Sequence, residues 1–193
     1  MHTDIIKLLA ILFAVAFHLN NEAAELKQDI PKAMWEPLFF ESINRAATNA
    51  GWKSLREAPL PSKSMEVRVW IGFGLSPLRG YSLRRDGSRW TGRYVVEGFQ
   101  QTNSVTTYDI TPKDEWDKLW TKLVQLDLLT LPDSSTLRDE KMIFDGVSYV
   151  VEINQDGCYR TYEYSNPQQQ KWPEAKQIIS IVQTLQDEFV IKK

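Results

Sequence analysis

The sequence predicts an α+β protein in which an antiparallel sheet, made of a four-strand meander and a C-terminal hairpin, is packed by about three helices. Two observations predict the sheet: apolar and polar residues alternate over residues 65–74, and an Asp156-Gly157 pair separates two strand-like runs. The third is that apolar stripes with helical spacing precede, separate and follow these strands. Strands grouped together in this way, with helices around them, are typical of the α+β class.

The hairpin at residues 145–167 is the best-defined element. A two-residue type I′ turn at Asp156-Gly157 fixes the pairing, because a slip by one residue would move every side chain to the other face. We expect one face to be buried and the other, mostly polar face to be wetter. The pairs predicted for the buried face are Tyr149 with Tyr164, Val151 with Tyr162 and Ile153 with Arg160. Those of the polar face are Val150 with Glu163, Glu152 with Thr161 and Asn154 with Tyr159.

Four earlier strands form the predicted meander, at residues 65–74, 79–85, 88–97 and 104–110. Alternation is clearest in the first of them, and Asp86-Gly87 is the expected turn between the second and the third. With that turn, Leu83 would face Trp90 and Tyr81 would face Gly92. Residues 101–103 are the predicted turn before the fourth strand.

Three helices complete the prediction, at residues 32–52, at 112–126 and after Trp172-Pro173. Pro112 follows Thr111, a combination that suits a cap and a first helical position. Residues 53–64 contain two prolines and no regular period, so they are predicted to be a connector. The order of one helix and four strands over residues 32–110 resembles the cystatin-like half-roll in the order of elements alone, without that family's inhibitory motifs.

The N-terminus has the features of a secretory signal peptide, which we place at residues 1–24. An apolar run of ten residues spans positions 8–17 and is followed by Ala23 and Ala24. Such a run is short for a membrane-spanning helix. We therefore expect a secreted or periplasmic protein, with residues 25–193 as one α+β domain and no stable membrane span after cleavage. The formal charge of −2 is spread along the chain and does not favour nucleic-acid binding.

Removal of the signal peptide would remove every histidine, because His2 and His18 are the only two. Catalysis by Ser-His-Asp or Cys-His groups and histidine-ligated zinc are then excluded within this chain. Cys158 is the single cysteine, so it cannot form an intramolecular disulfide. It is interpreted as an ordinary strand residue, with a covalent dimer as the alternative. No catalytic residue, metal site or cofactor is predicted.

A concentration of arginine and tryptophan on the central strands is the candidate binding site, with Arg68, Trp70, Arg84, Arg89 and Trp90 as its predicted residues. Guanidinium groups beside aromatic rings suit anionic groups, sugars or a protein hot spot. The plainer interpretation is a solvated sheet face whose long side chains cover apolar atoms.

The sequence thus favours a secreted or periplasmic binding domain without catalytic activity, whose partner is a protein or an anionic or carbohydrate ligand. The alternative is a carboxylate-based hydrolase of envelope or extracellular polymers, using carboxylates among Asp145, Glu152 and Glu163. A hydrolase needs two carboxylates that converge in a cleft, whereas a binding domain needs an exposed arginine and tryptophan surface. A structural accessory domain would show neither feature.

Overall fold

A seven-stranded sheet is the centre of the fold. The computed structural model describes residues 26–57, 59–74, 76–98, 104–137, 146–189 and 191, so the predicted signal peptide and the turn at 101–103 lie outside the described residues. Its strands are β1 (Lys27–Asp29), β2 (Ser64–Gly72), β3 (Arg79–Asp86), β4 (Arg89–Glu97), β5 (Val105–Ile110), β6 (Ser148–Gln155) and β7 (Cys158–Ser165). Its helices are α1 (Trp35–Asn49), α2 (Trp116–Gln125) and α3 (Pro173–Glu188).

The strand order is β1-β7-β6-β2-β3-β4-β5, with β1 parallel to β7 and the other neighbours antiparallel. The predicted α+β class, with a β2–β5 meander and a β6–β7 hairpin, is confirmed. Strand β1 was not predicted, since its sequence is polar and all three of its residues are exposed. A short edge strand of this kind has no apolar alternation from which it could be recognised.

Helices cover both faces of the sheet. Leu119 and Leu123 of α2 and Ile178 of α3 pack with one face, which carries Val67, Val69 and Ile71. On the other face, Ile43, Ala46 and Ala47 of α1 pack with Trp70, Val95 and Val150. Two apolar clusters on opposite sides therefore hold the sheet. None of the helices in the described part of the chain is long and apolar enough to cross a membrane.

The β6–β7 hairpin has the predicted register on both faces. Asp156 and Gly157 have φ values of 52° and 73°, as a type I′ turn requires. Tyr149, Val151 and Tyr162 are buried, as predicted. The expectation of a wetter second face is wrong, because Glu152, Asn154 and Glu163 of that face are also buried. Cys158 begins β7 and is exposed.

The segment between α1 and β2 explains why polar residues of the sheet are buried. It crosses the α1 side of the sheet, where Trp52 and Leu55 are buried. Arg68 donates a hydrogen bond from Nη2 to the Lys53 carbonyl at 2.8 Å, and Asn154 donates from Nδ2 to the Leu55 carbonyl at 2.8 Å. Carbonyls that lie outside regular structure and are fully or partly covered require donors, and these sheet side chains supply them.

The β3–β4 hairpin differs from the prediction in its register. Its turn is Gly87-Ser88, so Leu83 faces Gly92 and Arg85 faces Trp90. Gly87 is the first central turn residue and has a φ of 62°, a position where glycine is favoured in two-residue hairpin turns. The predicted turn was one residue too early, and every predicted pair was therefore displaced by two.

Two predicted helix starts were also too early. Helix α1 begins at Trp35 instead of position 32, and α2 begins at Trp116 instead of Pro112. Before α2, the backbone N–H groups of Lys113 and Asp114 donate to the main-chain carbonyl and the carboxylate of Glu188, at the end of α3. These two N–H groups are thus bonded to the end of α3, and the helix begins about one turn later than the sequence suggested.

Candidate binding surface

The predicted binding residues do not share one surface. Arg68 and Trp70 lie in β2 and are 2% and 0% exposed. Arg84 and Arg89 point to the same side of the sheet as these two, whereas Trp90 pairs with Arg85 and points to the opposite side. Arg89 is exposed, and Arg84 and Trp90 are half-buried. Only the part of the predicted site near the β3–β4 turn is therefore open to a partner.

Trp70 is held as a core residue. Its Nε1 donates a hydrogen bond to Oε2 of Glu152 at 2.8 Å, and its ring centroid lies 5.7 Å from that of Trp52. Gly80 faces Trp70 across the strands, and a Cβ atom at that position would approach the indole ring to 2.6 Å. The absence of a side chain at Gly80 thus leaves room for the tryptophan.

Arg68 and Arg84 converge on Glu66, a buried carboxylate. Glu66 Oε1 accepts hydrogen bonds from Arg68 Nε at 2.8 Å and from Ser82 Oγ at 2.9 Å, and Arg84 Nη1 lies 3.4 Å from Oε2. Arg84 also donates two hydrogen bonds to Asp86, at 2.8 and 2.9 Å, and this pairing lowers the pKa of Asp86. The donors of both arginines are thus engaged within the protein.

The carboxylates of the hydrolase alternative are enclosed in the same way. Glu152 is 1% exposed and accepts hydrogen bonds from Trp70 and from the hydroxyl of Tyr159 at 2.9 Å. Glu163 is 2% exposed and accepts one from the hydroxyl of Ser134 at 3.2 Å. Asp145 lies outside the described residues. Neither Glu152 nor Glu163 is open to a polymer substrate.

Four residues around the β3–β4 turn form what we call the hairpin tip: Lys63, Arg85, Arg89 and Trp90. Lys63 belongs to it because its carbonyl accepts a hydrogen bond from the N–H of Gly87 at 3.0 Å. The guanidinium carbon of Arg85 lies 5.4 Å from the centroid of the Trp90 ring. None of the three cations forms an ion pair with a carboxylate of the described residues.

Arg85 differs from the other arginines of these strands in having a buried donor, Nε, that lacks an acceptor within the described residues. It makes no side-chain hydrogen bond with any residue in the described part of the chain. A buried donor without an acceptor destabilises a protein by about 1–3 kcal/mol. The fold therefore keeps a guanidinium group against Trp90 with a donor that no acceptor of the described residues satisfies.

Two indoles of α2 support the hairpin tip. The rings of Trp90 and Trp116 are nearly parallel, at 6° with centroids 5.7 Å apart, and Trp120 lies 5.3 Å from Trp90. Trp90 Nε1 donates a hydrogen bond to Asp117 Oδ1 at 2.9 Å. A Cβ atom at Gly92 would come within 2.6 Å of Trp116, so this glycine allows the helix to approach. These contacts fix the orientation of the Trp90 ring.

The contact of Trp116 and Trp120 with Trp90 was not predicted from the sequence, and Arg85 was not among the predicted site residues. The approach of Trp116 had one signal in the sequence, the glycine at position 92, since a glycine within a strand often marks the close approach of another element.

The arrangement suits an anionic group, because Arg85 is an available cation beside the Trp90 ring. Lys63 and Arg89 add positive charge at the turn, Arg89 from the opposite side of the sheet. A metal centre is not indicated, since no group of three His, Cys, Asp or Glu side chains suitable for a cation occurs within the described residues. Comparisons with protein-family models, with curated proteins and with solved structures gave no match to this chain.

Proposed function

We propose that this chain is a secreted or periplasmic binding domain without catalytic activity, and that its hairpin tip binds an anionic group of a protein or carbohydrate partner. The observation that carries the proposal is Arg85, which lies over Trp90 without an acceptor or a carboxylate partner in the described residues. An anion bound by this guanidinium would form charge-assisted hydrogen bonds that the free protein lacks.

The surroundings support the choice of an anion. Lys63 and Arg89 are exposed cations on either side of the turn, while Asp86, a carboxylate beside the turn, is engaged by two hydrogen bonds from Arg84. The indole of Trp90 is held by Asp117 and Trp116, so little conformational freedom is lost when a sugar or another planar group stacks on it.

Binding is tested with dextran sulfate as an anionic probe and unmodified dextran as its neutral counterpart, followed by tryptophan fluorescence. We expect saturable binding of the sulfated polymer that weakens with salt. Arg85→Gln and Arg89→Gln should each weaken it about tenfold, while the unfolding free energy changes by less than about 0.5 kcal/mol for the exposed Arg89.

Lys176→Gln is the matched control, because it removes one positive charge from an exposed position of α3. Equal losses for this control and the tip variants would indicate attraction by total charge and would contradict a site at the tip. Binding of the neutral polymer with the same affinity would contradict recognition of an anion.

Export is the second part of the proposal, and it is supported by the apolar run at positions 8–17 and by Ala23 and Ala24. N-terminal sequencing of the protein from the extracytoplasmic fraction should begin near Ala24 or Glu25. Recovery of the chain from the cytosol with Met1 retained would refute export and would leave the binding assay unaffected.

A further inference from the structure

A groove lies at the end of β3 and β4 that is opposite to the hairpin tip. Its volume is about 310 Å³, and Leu38, Phe39, Phe73, Leu78, Arg45 and Glu97 are among the residues that line it. We call it the Phe39–Phe73 groove after the two rings in its wall, whose centroids are 4.4 Å apart in a stacked arrangement. It shares no residue with the hairpin tip.

The backbone that places Phe73 in the groove has an unusual conformation. Phe73 has a φ of 65°, which is rare for a bulky residue, and it follows Gly72, whose φ is 143°. A Cβ atom on Gly72 would lie 3.1 Å from the Cα atom of Leu78, so the connection after β2 folds back tightly. Such strain is found preferentially at ligand sites. Here it directs an aromatic ring to an open groove.

Exposed apolar side chains concentrate beside this groove. Met34, Leu38 and Val124 are the large hydrophobic residues that are exposed in the described part of the chain. Met34 and Leu38 are 89% and 67% exposed and are one helical turn apart, so they lie on the same side of the helix start. The groove therefore has apolar surface both in its wall and at its margin.

The rim of the groove carries charges of both signs. Arg45 Nη2 lies 3.3 Å from Glu97 Oε1, and their side chains are 48% and 22% exposed. This is the only contact recorded for the Arg45 guanidinium among the described residues, so most of its N–H donors remain available. Ser42, three residues earlier on α1, also lines the groove and adds a hydroxyl group.

We propose that the Phe39–Phe73 groove binds a zwitterion that carries a large apolar side chain, either a free amino acid or a dipeptide. The apolar side chain packs on Phe39 and Phe73, the carboxylate accepts hydrogen bonds from Arg45 and Ser42, and the ammonium group pairs with Glu97. The volume of the groove is at the lower end of the range for small-molecule sites, which fits a ligand of this size.

The test is calorimetric titration of the purified chain with L-phenylalanine, L-leucine, glycine and the uncharged amide N-acetyl-phenylalaninamide. We expect saturable binding of phenylalanine and leucine. Glycine, which lacks the apolar side chain, and the amide, which lacks both charged groups, should bind at least tenfold more weakly. The dipeptide alanyl-phenylalanine distinguishes the two sources: tighter binding than that of phenylalanine indicates a dipeptide, and weaker binding indicates a free amino acid.

Arg45→Gln should weaken phenylalanine binding about tenfold or more, whereas Arg45→Lys should restore part of it and Lys176→Gln should have no effect. Leu38→Ser, a change at an exposed position, tests the apolar margin without disturbing the core. Three results would overturn the proposal: no saturation by about 10 mM phenylalanine, binding of the amide as tight as that of phenylalanine, or binding of phenylalanine by Arg45→Gln as tight as by the unaltered chain. Neither result affects the hairpin tip.

Discussion

At the scale of single residues, Arg68 shows how a side chain that suggests a binding surface in the sequence serves the fold. The alternation of β2 places it correctly beside Glu66 and Trp70, but α1 and the segment after it cover this face. Its guanidinium pairs with Glu66 and also donates to the Lys53 carbonyl. Arg68 therefore links the buried carboxylate to the segment that encloses it.

Arg68→Met keeps much of the side-chain volume and removes both interactions. We expect the free energy of unfolding to fall by about 3–5 kcal/mol, because a buried carboxylate loses a charged partner and a part-buried carbonyl loses its donor. Urea titration followed by circular dichroism measures the change. Arg89→Met is the control at an exposed position and should change stability by less than about 0.5 kcal/mol. A loss below about 1 kcal/mol for Arg68→Met would show that Arg68 does not hold this segment.

At the scale of elements, glycines have two separate roles in the hairpins. Gly157 provides the positive φ of the β6–β7 turn, and a Cβ atom there would contact nothing within 4 Å. Gly80 lies within β3 and has no positive φ, but a Cβ atom there would meet the Trp70 ring at 2.6 Å. One glycine is required by backbone conformation and the other by packing.

Replacement of these two glycines by alanine should therefore destabilise the protein for different physical reasons. Gly157→Ala should cost about 1–2 kcal/mol through the left-handed backbone alone and leave tryptophan fluorescence unchanged. Gly80→Ala should cost about 1–3 kcal/mol through overpacking and should alter the fluorescence of the native state, since Trp70 must move. Denaturant titration with intrinsic fluorescence measures both quantities. An unchanged native spectrum for Gly80→Ala would contradict the packing role.

At the scale of the whole molecule, tyrosines buried in the core link stability to alkaline pH. Burial raises the pKa of Tyr81 to about 12, and it also raises the pKa values of Tyr159, Tyr162 and Tyr164. In each case the folded state disfavours the tyrosinate. Stability is therefore fully present below the unfolded pKa near 10 and is lost as the pH rises, since the unfolded chain releases these protons first.

We expect the urea midpoint to be constant between about pH 8 and pH 9 and to fall between about pH 10 and pH 12. Tyr81→Phe should reduce the slope of this fall, because it removes one ionising group whose hydroxyl makes no hydrogen bond within the described residues. Urea titrations at a series of pH values, with tyrosinate absorbance measured in parallel, test the expectation. The same slope in Tyr81→Phe would contradict the contribution of this residue.

The sequence by itself determined the α+β class, the meander, the complete register of the β6–β7 hairpin and the apolar stripes of the helices. These features depend on local rules: Asp156-Gly157 defines its own turn type, and periods of two and about 3.6 residues define strand and helix faces. The side of the sheet to which these residues point could also be inferred from strand alternation, since Arg68, Trp70, Arg84 and Arg89 do point to one side.

Only the tertiary structure decided which faces are covered. Polar residues such as Glu152 and Asn154 predict a solvent-exposed face, because burying a polar side chain without a hydrogen-bond partner is unfavourable. In the structure, the indole of Trp70 and the carbonyl of Leu55, both distant in sequence, provide those hydrogen-bond partners. The same holds for the candidate site, where α1 and the segment after it cover Trp70 and Arg68, while α2 brings Trp116 and Trp120 to Trp90. Burial depends on contacts between residues far apart in the chain, and local sequence patterns do not encode them.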